Sequence, residues 1–173
     1  MVSPWLLCMT AIRAAILTVS DKGFEGKRAD SSGPALAKWL AEWSVEVVLS
    51  KLLPDEAEGI SAQLAEWADS GSCDLILTTG GTGVSPRDRT PEATRKILDL
   101  EIPGMGEAMR AASLGKTPFA MLSRAVAGVR GRTLILNLPG SPRGAVENLA
   151  AVWPAIPHAV KKLQGDASDC APV

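Results

Sequence analysis

The sequence predicts a three-layer α/β/α sandwich around a mostly parallel central sheet. Three observations carry that expectation. Short apolar runs of strand character alternate with segments whose apolar residues recur at helical spacing. A glycine-rich run follows the third apolar strand and leads into a helix. No repeat, low-complexity tract or linker divides the chain, and 173 residues suffice for one domain with a substantial core.

The elements follow in order. Ala14, Ala15, Ile16, Leu17 and Val19 make residues 14–20 a buried strand. Residues 21–32 are polar and contain glycine, so they read as a loop. Leu36, Trp39, Leu40 and Trp43 share helical spacing and place a helix over 34–43, with Ser31 or Ser32 as cap and Pro34 in its first turn. The two tryptophans belong to core or interface. Residues 45–49 form the second strand. Pro54, Asp55 and Glu56 open a helix running to about residue 70, with Ile60, Leu64 and Trp67 on one face and acids near its positive end. Residues 74–79 form the third strand. A short helix starts at Pro91 and ends near Leu98, capped by Thr90.

Residues 101–116 read as partly helical, loosened by Gly104 and Gly106. A strand or hairpin is expected around Phe119, Ala120, Met121 and Leu122. Residues 133–138 are a clear strand. Pro139, Gly140, Ser141 and Pro142 turn the chain into a last helix over 145–163, bent near Pro154 and Pro157. Residues 1–13 are read as a flexible extension, 14–165 as the single domain and 166–173 as a mobile tail.

Composition excludes several classes. The net charge is −1, from 18 basic and 19 acidic residues, so there is no basic excess for nucleic acid. Hydrophobic residues make up 46%, but no run is long enough for a membrane span. The start lacks a basic leader. Cys8, Cys73 and Cys170 lie far apart, form no zinc spacing and read as free thiols of a cytoplasmic protein. His158, the one histidine, reads as a helix-surface residue, and nothing near it supports a nucleophile–histidine mechanism.

In open parallel sheets, ligands sit beyond the carboxyl ends of the strands. Ser20 and Asp21, Pro54 and Asp55, the glycine loop, and Pro139 to Ser141 all follow strands and can meet on one rim. In the loop, Gly80, Gly81 and Gly83 free backbone N–H groups to approach an anion, and Thr82, Ser85 and Thr90 add hydroxyls. Phosphate is the expected ligand. The dinucleotide pattern fails, because Pro86 stands where the third glycine belongs and the loop follows the third strand. Gly115, Lys116 and Thr117 resemble the end of a phosphate-binding P-loop, but Arg110 replaces its first glycine.

Asp55 and Asp88 are the candidate catalytic carboxylates. Near a polyphosphate they would hold Mg2+, which takes oxygen ligands. Asp55 also fits a helix cap, and Asp88 an ion pair with a neighbouring arginine such as Arg87. Ser123 and Arg124 could clamp a phosphate or simply end an exposed strand. Pro139, Gly140 and Ser141 could hold an anion at a helix start or form a plain turn.

Together the segments are more specific than any one of them. TTGGTGVSPRDRTPEA, with LTVSDKG, LPDE, MLSRAVAGVRGRTLILNLPGSP and ENL, resembles the molybdenum-cofactor biosynthesis family of MogA and MoaB proteins, which includes a domain of gephyrin. The match runs from about Ala14 to Leu163 in the same order. The resemblance implies a homotrimer that adenylylates molybdopterin with ATP and Mg2+ and releases pyrophosphate. It implies hand-over of the product to a molybdate-insertion enzyme. It makes Asp55 and Asp88 the essential aspartates. It assigns ligand contacts to Gly80, Gly81, Thr82, Gly83, Ser123, Arg124, Pro139, Gly140 and Ser141, with Ser85, Arg87 and Thr90 beside them. Lys22, Lys51 and Arg143 are further candidates for the pterin. The alternative is a MoaB-like molybdopterin-binding protein or scaffold without transferase activity.

Overall fold

The structure is a computed structural model describing residues 11–167. The reading of residues 1–10 and 168–173 as extension and tail lies outside that range.

Six strands form one sheet in the order β2-β1-β3-β6-β5-β4. They are β1 (Arg13–Val19), β2 (Glu46–Leu53), β3 (Leu75–Thr79), β4 (Leu100–Glu101), β5 (Ala127–Arg130) and β6 (Thr133–Leu138). The pairs β1–β2, β1–β3 and β3–β6 are parallel, whereas β5 runs antiparallel to both β6 and β4. The sheet is therefore mostly parallel, as expected. The helices are α1 (Asp21–Phe24), α2 (Ser32–Glu42), α3 (Ala57–Asp69), α4 (Thr90–Arg95), α5 (Pro103–Leu114), α6 (Pro142–Val152) and α7 (Ile156–Leu163).

The strands alternate between two apolar faces. Ala14, Ile16, Leu75, Leu77, Leu134 and Leu136 pack with residues of α2, α5, α6 and α7 on one face. Ala15, Leu17, Val19, Ile76 and Ile135 pack with Ile60, Leu64 and Trp67 of α3 and Ala93 of α4 on the other. Because both faces of the central strands are covered, their sequences read as continuous apolar runs.

Several boundaries differ from the sequence expectation. The stretch after β1 is not wholly a loop, because Ser20 accepts a hydrogen bond from Gly23 N–H and starts α1. Neither Ser31 nor Ser32 caps α2 through its hydroxyl. Asp30 does so instead, its Oδ1 accepting from the N–H groups of Ser32 and Gly33, both at 3.0 Å. The second strand continues to Leu53, and α3 starts only at Ala57, so Asp55 is not in a helix. Thr90 lies inside α4 rather than capping it.

The expected strand or hairpin at Phe119–Leu122 is a 3-10 turn over Pro118–Leu122. Pro118 fixes the backbone for a helical start, and Thr117 Oγ1 accepts from Phe119 N–H. That side of the sheet is instead built by the hairpin β5–β6, closed by Gly131 with φ +55, with the two residues of β4 at its edge. The last helix is interrupted by a 3-10 turn over Trp153–Ala155, where Pro154 and Pro157 withhold N–H donors. His158 is exposed, and Cys73 is a buried free thiol, pushed up to about 11 by burial.

Candidate functional site

β2 and β3 lie on opposite sides of β1, so the chain reverses its winding at the carboxyl ends of β1 and β3. A cleft of about 450 Å3 opens there. Thr18 and Ser20 reach it from β1, Asp55 from the end of β2, Gly80 and Gly81 from the end of β3, and Gly140 and Ser141 from the end of β6.

The strand ends are pressed together by glycines. Gly80 has φ +104, and a Cβ there would stand 2.2 Å from the carbonyl oxygen of Val19. Gly80 N–H donates to Leu138 O at 3.1 Å. A Cβ on Gly140 would stand 3.2 Å from the Gly80 Cα. Gly81 has φ +63, and a Cβ there would meet Thr90 Oγ1 at 2.3 Å and Asp55 Oδ1 at 3.0 Å. Backbone can therefore approach backbone, and a ligand can approach both.

Asp55 is locked to the loop after β1. Asp21 N–H donates to Asp55 Oδ2 at 2.8 Å, and Asp55 N–H donates back to Asp21 Oδ1 at 2.9 Å. Arg87 grips Asp21 through Nε and Nη2, both at 2.9 Å, and also reaches Glu56 at 2.7 Å. Burial pushes the Asp55 carboxyl above the usual carboxylate range, and the nearby Asp21 and Asp88 charges add to this. The Arg87 guanidinium holds Asp21 below that range.

Asp88 Oδ2 accepts from Ser85 N–H at 2.8 Å, which orders the loop that carries it into the cleft. Arg124 supports the same loop from behind. Its Nε donates to Gly83 O and its Nη2 to Asp88 O, each at 2.6 Å, while Nη1 pairs with Glu92. Arg124 N–H donates to Thr82 O at 2.9 Å.

Of the residues nominated from sequence, Asp55, Asp88, Gly80, Gly81, Gly140 and Ser141 line the cleft. Pro139 stands behind it, its carbonyl accepting from Thr79 Oγ1 at 2.7 Å. Thr82, Gly83, Ser85, Arg87, Thr90 and Arg124 form its supporting shell and do not line it, and Ser123 stands apart from it, its Oγ accepting from Ala125 N–H at 3.4 Å. Lys22, Lys51 and Arg143 lie outside it. Lys51 bonds Gln63, and Arg143 pairs with Glu147 at 2.8 Å. Sequence reasoning passed over Thr18, Arg28, Asp30 and Ser32, which also line the cleft. The available signal was position, because residues 21–32 follow a strand end at the ligand rim.

The carboxylates test the fit of a metal. Among the described residues, no group of three or more His, Cys, Asp or Glu forms a self-contained metal cage. Two hard carboxylates in one cleft suit Mg2+, which is held by one or two carboxylates together with substrate phosphates. The raised Asp55 carboxyl adds that a cation would be welcome beside it.

The family described as "Probable molybdopterin binding domain" matches residues 15–158. The chain belongs to the molybdenum-cofactor biosynthesis family. A family member from Helicobacter pylori (strain J99), named molybdopterin adenylyltransferase, is 42% identical over 160 residues, covering 91% of each chain. Its namesake from Escherichia coli K12 is 39% identical, covering 95% of this chain and 91% of its own. The crystal structure of the molybdopterin biosynthesis enzyme MoaB from Thermus thermophilus superposes with a TM-score of 0.84 at 58% identity, covering 90% of this chain and 98% of its own.

Proposed function

We propose that the chain is a molybdopterin adenylyltransferase of molybdenum-cofactor biosynthesis, using ATP and Mg2+ and releasing pyrophosphate. One observation carries the reading: Asp55 and Asp88 share a cleft with glycine backbone and a helix start, at the point where the sheet reverses its winding. The relatives named molybdopterin adenylyltransferase, at about 40% identity over nearly the whole chain, support it.

The chemistry asks for positioning and charge stabilisation. An oxygen of the pterin's terminal phosphate attacks the α-phosphorus of ATP, a new P–O bond forms, and the bond to the β-phosphate breaks to release pyrophosphate. No covalent protein intermediate is needed, and no histidine or cysteine lines the cleft among the described residues. Mg2+, when bound, would neutralise phosphate charge as it develops. Asp55 and Asp88 would hold it, and the Asp21 contacts fix the orientation of the Asp55 carboxylate. The start of α6, capped by Ser141 accepting from Gly144 N–H at 3.2 Å, turns its partial positive charge toward the cleft.

The reading extends to assembly and place. Phe119, Met121 and Leu122 are 75%, 65% and 47% exposed on one 3-10 turn, which supports burial in a homotrimer. The bacterial relatives named molybdopterin adenylyltransferase support work in the cytoplasm, with hand-over to a molybdate-insertion enzyme. The second reading is a molybdopterin-binding protein without transfer activity, and the 58% identity to a MoaB structure is what favours it.

Mass-spectrometric detection of adenylylated molybdopterin, after incubation with ATP and Mg2+, separates the two. The wild type is expected to form it. Asp55→Ala and Asp88→Ala are each expected to lower the rate by about a hundredfold or more. Wild-type rates in both variants would remove the proposed mechanism.

A further inference from the structure

The cleft presents a charge problem. Among the described residues, three carboxylates line it, from Asp30, Asp55 and Asp88, yet the proposed substrates are polyanions. The two arginines marked by the sequence motifs do not resolve this. Arg87 is engaged by Asp21 and Glu56, and Arg124 by Glu92 and two backbone carbonyls. Asp30 is spent on structure, because Oδ2 accepts from Thr18 Oγ1 at 2.7 Å and Oδ1 accepts from Ser32 and Gly33 N–H.

Arg28 is the one basic side chain among the described residues lining the cleft. Its Nη2 donates to Ser20 Oγ at 3.0 Å, and Ser20 is itself fixed at the end of β1, its N–H donating to Leu53 O at 2.9 Å. Ser20 Oγ also accepts from Gly23 N–H at 3.1 Å, so the anchor belongs to the framework. A guanidinium has five N–H donors in a fork that fits phosphate oxygens, and the contact to Ser20 uses one. That contact is to a neutral hydroxyl, so the positive charge is not neutralised by it.

We infer that Arg28 is a phosphate-binding residue of this cleft, held by Ser20 and directed at an oxyanion of the bound nucleotide or pterin. The inference rests on the proposed adenylyl transfer for its substrates, but not for its test. Inorganic pyrophosphate is a sufficient probe, because it presents the same oxygens and needs no catalysis.

Isothermal titration with pyrophosphate and with α,β-methylene-ATP, each with Mg2+, compares wild type with Arg28→Met and Arg28→Lys. Methionine keeps much of the apolar stem without the charge. Pyrophosphate affinity should fall about tenfold in Arg28→Met, with partial recovery in Arg28→Lys, because lysine restores charge but not the fork. The melting temperature should be unchanged, since the side chain is exposed. A parallel loss with α,β-methylene-ATP assigns Arg28 to the nucleotide. An unchanged analogue affinity with a raised KM for molybdopterin assigns it to the pterin phosphate. Equal pyrophosphate affinity in all three proteins, or no binding to the wild type, overturns the inference. If the wild type transfers no adenylyl group yet Arg28→Met weakens pyrophosphate binding, the proposed reaction fails and the phosphate role stands.

Discussion

Asp55 holds a carboxylate where burial and two neighbouring acids disfavour its charge. Its folded pKa lies above the unfolded one, so its contribution to stability is present below the unfolded value and lost as pH rises through the folded value. Asp55→Asn keeps an oxygen for Asp21 N–H but removes the charge. It should therefore be more stable than wild type near neutrality, with the gap closing as pH falls to roughly 4 or below, while activity is lost. Asp21 has the opposite sign: its hydrogen bonds to Arg87 contribute above its unfolded pKa and are lost on acidification through the lower folded value. Thermal melts across that pH range check both. Thr90 makes the same point without charge. Its Oγ1 is fully buried and has no hydrogen-bond partner among the described residues. Thr90→Val should raise stability by about 1 kcal/mol, read by urea denaturation. Gly81→Ala should lower it by about 2 kcal/mol or more, because φ is +63 and the new methyl would sit 2.3 Å from Thr90 Oγ1. The place of Asp55, Asp88, Gly80, Gly81 and Gly140 at the cleft was legible because carboxylates and glycines in loops after strands mark the ligand rim. Arg28 was not, because an arginine in a polar loop reads the same whether it faces a cleft or open water.

At the scale of elements, β6 shows what an apolar pattern conceals. Its run reads as a buried strand, which it is, but Asn137 is fully buried within it. The Asn137 amide donates to Thr78 Oγ1 at 3.0 Å and Thr94 Oγ1 at 2.9 Å, tying β6 to β3 and α4. Those partners lie 59 and 43 positions away, so no local window reveals them. Asn137→Leu should destabilise the fold by about 2–3 kcal/mol in urea titrations, leaving two buried hydroxyls short of a donor. The 3-10 turn at Pro118–Leu122 failed in the other direction. Its apolar residues suggested a strand, but the proline and the Thr117 cap set its backbone, and the places beside β6 are taken by β5 and then β4. Helix starts slipped for a similar reason. The cap of α2 comes from Asp30, not from a serine, because only Asp30 is also gripped by Thr18.

For the molecule as a whole, the parallel half of the sheet was readable and the antiparallel half was not. Continuous apolar strands separated by helices imply parallel order and a ligand rim. The edge depends on a two-residue strand and a hairpin glycine, too little chain to carry a pattern. Assembly belongs to this scale too. Phe119→Asp with Met121→Asp should convert the proposed trimer to monomer in sedimentation velocity, because both side chains are exposed on the apolar turn. At the start of α2, Ser32 lines the cleft, and at its far end Trp39 and Trp43 gather with Trp153, with ring centroids 5.2–5.6 Å apart. Indoles this close couple as excitons, and Trp39 and Trp153 meet edge to face at 89°. The near-ultraviolet dichroism of the trio would thus act as a native optical gauge of the tilt of α2, read with and without ligand in the cleft.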